Sequence, residues 1–325
     1  MDRHREPVVD DVVDTRSPLA DPRAVTAPEP EDDRVTVVVM SRDRREELLR
    51  SLSRHRAPVV LVDNASTDGT AAAVRERFPR TEVVELSRNV GAAARTEGVR
   101  RALTPFVAFA DDDSWWAPGS LRTAADVLAE HPDIAVVQVR VLLGRDERVD
   151  PFDKLLARSP LPREGGRPTL LGFMACGAMV RVDAFLRVGG FDEIVRFPGE
   201  EERVALDLVD AGWSLVHVPE AVVHHHPSPL RHAPGERAAA VARSAVLTAV
   251  LRLPWRDVVR SVAGAARTAT GRRGLRAALV DVPAALRVRR VVAPGVLRAR
   301  DLVRRADSGA PVPPELDSSG GGAIA

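Results

Sequence analysis

An α/β fold is predicted by three features of this 325-residue sequence, with a mostly parallel sheet, helices on both faces and a helical extension at the C-terminal end. First, short apolar runs rich in β-branched residues recur, and such runs are typical of strands buried on both faces. Second, helical stretches of about 10 to 13 residues separate these runs, which indicates βαβ units. Third, 45% of the residues are apolar, so the chain can bury a sizeable core.

The strands and helices alternate from residue 35 onward. The runs that predict strands lie at 35–40, 59–62, 82–86, 106–110, 134–139 and 213–218. Amphipathic stretches predict helices around 48–52 and at 71–78, 91–103, 120–130, 183–188 and 200–211. Between 140 and 170 the periodicity is lost and Pro and Gly are frequent, which predicts a long loop of the kind that often carries function.

Composition divides the chain into four segments. Residues 1–34 hold ten acidic residues, five arginines and five prolines, and we expect them to be a disordered acidic arm. Residues 35–229 form the α/β domain, and residues 230–306 a basic helical region, because 231–305 contain 17 arginines and four acidic residues. Residues 307–325 are rich in Pro, Ser and Gly, which predicts a disordered tail.

Composition also excludes several classes of protein. A single cysteine rules out a disulfide framework and a cysteine-based zinc site. The N-terminus lacks the apolar segment of a signal peptide, and no run of about 18 apolar residues predicts a transmembrane helix, so we expect a cytoplasmic location. Nucleic-acid binding is not expected, because no recognised motif accompanies the positive charge.

The basic C-terminal region admits two interpretations. On one predicted helix, Arg256, Arg260 and Arg267 share a face, and Val258, Val259 and Val262 lie roughly opposite. This pattern suits peripheral attachment to an anionic membrane surface. Alternatively, these helices pack on the α/β domain and leave their arginines in solvent. The sequence leaves both interpretations open.

Three adjacent carboxylates, Asp111, Asp112 and Asp113, follow the strand predicted at 106–110. Ligands of open α/β sheets bind outside the carboxyl ends of strands, and Mg²⁺ or Mn²⁺ favours carboxylate oxygens together with substrate phosphates. The triplet therefore fits a divalent-metal site for a diphosphate. A solvated loop in which Asp113 or Ser114 caps the next helix fits the pattern equally well.

Two further clusters carry side chains that chemistry could use. Asp63 and Asn64 follow the second predicted strand and could hydrogen-bond a nucleobase, or they could simply form a turn. Glu200 and Glu201 begin a helix, where the helix dipole favours carboxylates. One of these glutamates could also take the proton from an acceptor hydroxyl.

Three consecutive histidines, His224, His225 and His226, follow the last predicted strand. Imidazole is a common metal ligand, but adjacent residues of a strand point to opposite faces, so at most two of them could reach one site. A solvated loop is the alternative interpretation.

The order of these motifs resembles that of family 2 glycosyltransferases, which have the Rossmann-like GT-A fold, and most closely the rhamnosyltransferase-like bacterial branch. The resemblance covers about residues 35–229. It rests on six segments in the same order, at 62–69 (VDNASTDG), 89–95 (NVGAAAR), 111–113 (DDD), 189–193 (GGFDE), 199–201 (GEE) and 218–225 (VPEAVVHH).

The resemblance implies an inverting transfer of a sugar from a nucleotide-diphosphate sugar to a hydroxyl acceptor. The implied donor is a UDP-, dTDP- or GDP-sugar, the acceptor is a glycan or a lipid-linked molecule, and the cofactor is Mg²⁺ or Mn²⁺. Such a reaction would serve the synthesis of cell-envelope glycans, glycolipids or secondary metabolites.

The resemblance also implies a role for each matching residue. Glu201 occupies the position of the catalytic base, with Glu200 beside it. Donor binding is implied for Asp63, Asn64, Asn89, Arg95, Asp111 and Asp112. Metal binding is implied for Asp113 and Asp111, with His224 or His225.

The chain departs from the family pattern at three places. Residues 41–44 (SRDR) replace a Thr-Tyr-Asn-Arg type sequence, and Thr96 stands where Asn is usual. The base motif is Glu-Glu instead of Glu-Asp, so Glu201 replaces an Asp, and Arg203 stands where another acid is frequent. Two other functions remain open. A sugar nucleotidyltransferase would have a Gly-rich loop after the first strand, which this chain lacks, and a non-catalytic nucleotide-sugar-binding or scaffold protein would not need Asp113 or Glu201.

Overall fold

A computed structural model describes residues 29–227 and 234–308 of the chain. Within these residues a central sheet contains nine strands, and a two-stranded hairpin lies beside it. The strands of the central sheet are β1 (Val35–Ser41), β2 (Val59–Asp63), β3 (Glu82–Glu85), β4 (Phe106–Asp111), β5 (Ser114–Trp116), β6 (Ile134–Leu143), β7 (Arg148–Val149), β10 (Ala178–Arg181) and β11 (Ser214–His225). The hairpin consists of β8 (Arg163–Glu164) and β9 (Arg167–Pro168).

Helices connect these strands and complete the chain. The helices of the α/β domain are α1 (Arg45–Leu52), α2 (Thr70–Arg77), α3 (Ala93–Arg101), α4 (Ser120–Glu130), α5 (Pro151–Ala157), α6 (Val182–Arg187) and α7 (Glu201–Asp210). The C-terminal helices are α8 (Pro234–Arg252), α9 (Trp255–Ala266), α10 (Ala269–Ala278), α11 (Val282–Arg287) and α12 (Pro294–Asp307).

The sheet is mostly parallel, as the sequence predicts. The order across it is β3-β2-β1-β4-β10-β6-β11-β5, and β7 pairs with β6. β3, β2, β1 and β4 are parallel neighbours, and β6 and β11 are parallel as well. β10 is antiparallel to both β4 and β6, and β5 is antiparallel to β11. The antiparallel pairs therefore lie in the half of the sheet beyond β4.

The register aligns the ends of the parallel strands at one edge of the sheet. Ser41 of β1 lies opposite Asp63 of β2, and Met40 of β1 lies opposite Asp111 of β4. Almost every residue of β1 and β4 is buried, which is why their sequences are continuous apolar runs that do not alternate. The polar residues that end these strands consequently meet at a single edge.

Helices cover both faces of the sheet. On one face, Leu48 of α1 and Leu121 of α4 pack into a core with β1 and β4. On the other face, Val99 of α3, Phe185 of α6 and Leu208 of α7 form a second core. Together with the sheet order, this arrangement confirms the predicted α/β architecture.

β11 is longer than the sequence predicts. The apolar run predicts a strand at 213–218, whereas β11 continues to His225 after a register shift between Val218 and Val222. The polar residues in between interrupt the apolar pattern, so periodicity alone ends the strand too early. β5 pairs with the extension, and His224 and His225 therefore lie on a strand and not in a loop.

The region 140–170 forms short elements where the sequence predicts a long loop. β6 extends to Leu143, and β7 and the β8–β9 hairpin follow with two residues in each strand. α5 begins after Asp150, whose side chain accepts a hydrogen bond from the N–H of Phe152 (2.8 Å). The prediction fails here because strands of two residues are too short to show a period.

The C-terminal helices pack against the α/β domain. Leu247 of α8 belongs to one hydrophobic core with Val195 and Leu206 of the domain. Ion pairs join the C-terminal region to α7, between Arg252 of α8 and Asp207, Arg290 of the α11–α12 connection and Asp207, and Arg300 of α12 and Glu202. The structure thus has the packed helical region that one interpretation of the sequence predicts. Within the two described ranges, no helix is both long and apolar enough to cross a membrane.

The predicted acidic arm and tail lie largely outside the described residues. Of the arm, Glu31 and Arg34 contact the domain. The N–H of Glu31 donates to the carbonyl of Arg56 (2.8 Å), and Arg34 pairs with Asp126 of α4 (2.5 Å). The last residues of the arm are thus held on the surface of the α/β domain.

Candidate active site

Polar side chains from neighbouring strands meet at the carboxyl edge of the sheet. Asp63 ends β2 and is buried, and its Oδ1 accepts a hydrogen bond from the N–H of Ser66 (2.8 Å). Ser41 ends β1, and its hydroxyl donates to Asp112, which follows β4 (3.1 Å). Open α/β sheets bind their ligands at this edge, so these residues line a candidate ligand site.

Asn64 and Asn89 hold the turn beside Asp63. The Nδ2 of Asn64 donates to Oδ1 of Asn89 (3.0 Å) and to the carbonyl of Gly91 (3.1 Å). The Oδ1 of Asn64 accepts from the N–H of Val90 (2.9 Å). Because both side chains form hydrogen bonds within the protein, they hold the backbone turn beside Asp63 in place.

Arg95 connects this edge to helix α7. Its guanidinium is almost fully buried and pairs with Asp111 (2.5 Å) and Glu200 (3.4 Å). α3 carries Arg95 close to the sheet because Gly98 faces β1, where an added Cβ would lie 2.4 Å from Cγ1 of Val38. The guanidinium therefore fixes the position of two carboxylates at the site.

We expect Arg95→Met to lower the free energy of unfolding by about 3–5 kcal/mol, because it leaves the buried carboxyl of Glu200 and the partly exposed carboxylate of Asp111 without this partner. Urea unfolding measures the loss. Arg101→Met on the same helix is the matched control, since its exposed side chain pairs with Glu82 and Glu97 at 3.6 Å. Exposed pairs contribute about 0–1 kcal/mol, so equal losses in both variants would contradict the role of Arg95.

Asp111, Asp113 and His225 form a group that can bind a metal ion. Each offers one ligand atom, and these atoms lie within 4.8 Å of one another. Asp111 ends β4 and Asp113 follows it, whereas His225 comes from β11, which pairs with β5 directly after the aspartates. Carboxylate oxygens suit Mg²⁺ and Mn²⁺, and imidazole is also a ligand of transition metals.

The charges around this group fit a cation. Burial and the neighbouring charges of Asp113 and Asp111 raise the pKa of Asp112 to about 7, so negative charge is crowded here. Burial lowers the pKa of His225, but its contacts with Asp113 (3.2 Å) and Cys176 (3.9 Å) raise it overall to about 11. A proton on His225 thus offsets the carboxylates, and a divalent cation on the same atoms would take over that role.

Within the described residues, the structure brings His225 and neither adjacent histidine to the metal-binding group. The Nδ1 of His224 lies 2.8 Å from Oε1 of Glu147, and its ring stacks on Trp115 with centroids 5.4 Å apart. The ring of His226 meets Trp115 edge-on at 4.7 Å. Of the two histidines that the resemblance offers as metal ligands, only His225 is in position.

Glu200 and Glu201 differ in how accessible their carboxyl groups are to a substrate. Glu200 is almost fully buried against Arg95, and its Oε2 has no hydrogen-bond partner among the described residues. Burial and the charge of Glu201 raise the pKa of Glu200 well above its ordinary value. Glu201 is partly exposed, accepts a long hydrogen bond from the N–H of Ala175 (3.4 Å), and lines an open groove. A substrate can therefore reach Glu201.

This groove has a volume of about 460 Å³, which is typical of small-molecule sites. It lies between α5, residues 170–173, the start of α7, and helices α8 and α12. Its lining is largely apolar and includes Phe152, Leu155, Leu156, Leu170, Phe173, Leu206 and Val241. We call it the apolar groove, and Glu201 is the carboxylate that connects it to the sheet edge.

Two departures from the family pattern hold the turn that precedes α7. The hydroxyl of Thr96 accepts from the N–H of Phe191 (2.8 Å) and donates to its carbonyl (2.9 Å). The buried guanidinium of Arg203 donates to the carbonyl of Gly190 and pairs with Asp192 (3.3 Å). Both substitutions therefore keep the turn, and with it the start of α7, in place.

A second cleft, which the sequence analysis missed, borders Asp113. It has a volume of about 770 Å³ and is lined by Arg50, Arg54 and Arg145. The guanidinium of Arg54 lies 4.0 Å from the ring centroid of Trp115. The sequence gives one indication of this cleft, which is the position of Trp115 two residues after the acidic triplet.

Comparison with known proteins identifies a family domain in the chain. Residues 32–189 match the model of Glycosyl transferase family 2. The chain is 29% identical over 206 residues to the N-acetylglucosaminyl-diphospho-decaprenol L-rhamnosyltransferase of Mycobacterium tuberculosis, across 52% of this chain and 66% of that protein. It is 31% identical over 228 residues to the Pre-mycofactocin glycosyltransferase of the same species, across 66% and 47%. The chain thus spans about two thirds of the length of one relative and about half of the other.

The fold is similar to that of solved glycosyltransferases. The mannosyltransferase PcManGT from Pyrobaculum calidifontis, in complex with GDP-Man and Mn²⁺, aligns with a TM-score of 0.51. The two chains are 23% identical, and the alignment covers 88% of this chain and 79% of that one. Because the family match, the order of the motifs and the architecture of the sheet agree, the chain contains a glycosyltransferase family 2 domain at residues 32–189 and has the GT-A fold.

Proposed function

We propose that this chain transfers a sugar from a nucleotide-diphosphate sugar to a hydroxyl group, with inversion at the anomeric carbon. The observation that carries the proposal is the cluster of Asp111, Asp113 and His225 at the carboxyl edge of the sheet, with ligand atoms within 4.8 Å of one another. Glu201, which lines the apolar groove, supplies the second requirement, which is a carboxylate that an acceptor can reach.

The donor binds along the carboxyl edge of the sheet. Asp63 at the end of β2 meets the nucleobase, and Asn64 and Asn89 hold the turn against which the base lies. Arg95 keeps Asp111 in the position where it contacts the ribose or the metal ion. The complex of PcManGT with GDP-Man supports a nucleotide sugar as the donor class.

Asp111, Asp113 and His225 would hold Mg²⁺ or Mn²⁺. Asp112, whose carboxyl accepts from Ser41, is not part of this group. A bound divalent ion acts as a Lewis acid that neutralises the charge developing on the leaving diphosphate. The Mn²⁺ in the PcManGT complex supports this cofactor class.

Glu201 is the general base. Its carboxylate takes the proton of the acceptor hydroxyl, whose oxygen then bonds to the anomeric carbon while the bond to the diphosphate breaks on the opposite side. One displacement accounts for inversion, and no covalent enzyme intermediate is needed. Glu200, whose pKa is raised by burial, remains in the protein interior beside Arg95.

The apolar groove binds the acceptor. Its lining favours a molecule with a hydrocarbon portion beside the reacting hydroxyl, because apolar surface removed from water stabilises the complex. The acceptor named for the mycobacterial rhamnosyltransferase is linked to decaprenol, which supports a lipid-linked acceptor. A glycolipid or cell-envelope glycan is therefore the product class that we propose.

Thermal unfolding of the full chain with UDP, dTDP and GDP, with and without Mn²⁺, tests the donor site. We expect one nucleotide to raise the unfolding midpoint only when Mn²⁺ is present. Ligand at a hundred times its dissociation constant stabilises the native state by about 2.7 kcal/mol. No shift with any nucleotide would contradict the proposed donor site and favour a scaffold protein. A shift of equal size without Mn²⁺ would contradict the proposed metal site and leave the donor site standing.

A further inference from the structure

The C-terminal helices expose a large share of the chain's apolar side chains. Thirteen large apolar side chains are exposed in the described part of the chain, and eight of them lie within residues 255–291. These eight are Trp255, Val259, Val262, Leu279, Val280, Leu286, Val288 and Val291. Apolar residues concentrated on a surface in this way mark sites of interaction with a protein or a membrane.

Residues 255–291 form one layer on the outside of α8, which we call the outer layer. α10 packs closely on α8 at Gly274, where an added Cβ would lie 2.4 Å from the α8 backbone. Both ends of α9 contact later parts of the layer. Gly271 of α10 packs against the last turn of α9, and Arg289 lies 4.2 Å from the ring centroid of Trp255, the first residue of α9. The exposed side chains of the layer therefore point away from α8.

The exposed face of α9 is apolar, which is the reverse of what a packed surface helix shows. Trp255, Val259 and Val262 follow a helical spacing that places them on one face, and they are 58%, 66% and 38% exposed. Arg256 and Arg260 flank this face and are exposed as well. The helix thus presents an apolar stripe with cations beside it to the outside.

The outer layer is also strongly positive. It contains nine arginines and two aspartates, and both aspartates pair with arginines, Asp257 with Arg260 and Asp281 with Arg243. Six of its arginines form no ion pair with any described residue. One of them, Arg289, donates to the carbonyls of Val250 and Leu253. The other five are Arg267, Arg272, Arg273, Arg276 and Arg287. Two copies of this face would repel each other because both are positively charged. A partner that offers only negative charges and no apolar surface would leave the apolar stripe exposed to water.

We propose that the outer layer binds the headgroup region of an anionic lipid bilayer. Trp255, Val259 and their apolar neighbours enter the boundary between headgroups and acyl chains, and the unpaired arginines face the lipid phosphates. Amphipathic helices with aromatic and aliphatic residues on one side and arginines on the other bind in this way. This attachment is peripheral and is independent of sugar transfer.

Co-sedimentation of the full chain with lipid vesicles tests the proposal. We expect binding to vesicles that contain phosphatidylglycerol, weaker binding as the salt concentration rises, and none to vesicles of phosphatidylcholine alone. Val259→Glu should weaken binding about tenfold or more, because it places a carboxylate in the apolar boundary. Val259 is exposed, so the variant should keep the unfolding midpoint of the parent protein.

Leu103→Glu is the matched control, since Leu103 is a fully exposed apolar residue of the α/β domain. Equal loss of vesicle binding in both variants, or equal binding to both kinds of vesicle, would overturn the proposal. A dimer in sedimentation that Val259→Glu dissociates, without vesicle binding, would instead assign the outer layer to a contact between copies. The nucleotide-dependent thermal shift is measured without lipid, so failure of the two proposals can be told apart.

Discussion

Glu201→Gln is expected to slow sugar transfer by about 10²- to 10⁴-fold, which is the usual contribution of a general base. The amide has the shape of the carboxylate and its oxygen can still accept from the N–H of Ala175, but it cannot take a proton. The nucleotide-dependent thermal shift should stay unchanged, because the proposed donor site lies at the sheet edge and not in the apolar groove. Initial rates with saturating donor, together with that shift, separate catalysis from binding.

Glu202→Gln is the matched control for this prediction. Glu202 is the next residue of α7, lines the same apolar groove and pairs with Arg300 (3.2 Å). Its side chain does not take part in the proposed proton transfer, so its loss should change the rate only severalfold. If Glu201→Gln and Glu202→Gln slow the reaction equally, the assignment of Glu201 as the base is wrong.

The pH dependence of the rate gives the same assignment a second test. Burial raises the pKa of Glu201 above its ordinary value of 4.5. Below its pKa the carboxyl is protonated and cannot accept a proton, so the rate should fall as the pH decreases through that raised pKa. The fall should therefore occur closer to neutral pH than for an exposed glutamate. The residual rate of Glu201→Gln should lack this dependence.

Much of the fold could be predicted because its central strands are buried on both faces. β1, β2 and β4 each show a continuous apolar run that ends in a polar residue, so their position and their common edge follow from local sequence. Asp63 and Asp111 lie at this common edge, on the two strands that flank β1. Short strands such as β7, β8 and β9 depend on pairing with distant segments and leave no local pattern.

The division of roles within the site depends on such long-range contacts. The sequence offered His224 and His225 equally as ligands, and only the pairing of β11 with β5 turns His225 toward the aspartates. Likewise, Glu200 and Glu201 are adjacent carboxylates whose difference comes from Arg95, 105 residues away from Glu200 along the chain. The apolar groove joins α5 to α12, and no local motif connects two helices so far apart.

Asp113→Asn is expected to remove the Mn²⁺-dependent part of nucleotide binding and to slow sugar transfer by about 10²-fold or more, since a metal ion stabilises developing charge by several kcal/mol. The substitution removes one of the two proposed carboxylate ligands and keeps the size of the side chain. Titration of Mn²⁺ at fixed nucleotide concentration, followed by the thermal shift, measures the change in metal affinity.

The adjacent histidines provide the decisive comparison for this metal site. His225→Asn should weaken Mn²⁺ binding as Asp113→Asn does, because Nε2 of His225 lies 3.2 Å from Oδ1 of Asp113. His224→Asn should leave the Mn²⁺ titration unchanged, because its imidazole contacts Glu147 and stacks on Trp115 on the other side of the strand. Since the two residues share a strand and a side-chain type, an equal effect of both variants would mean that the ligand set does not include His225.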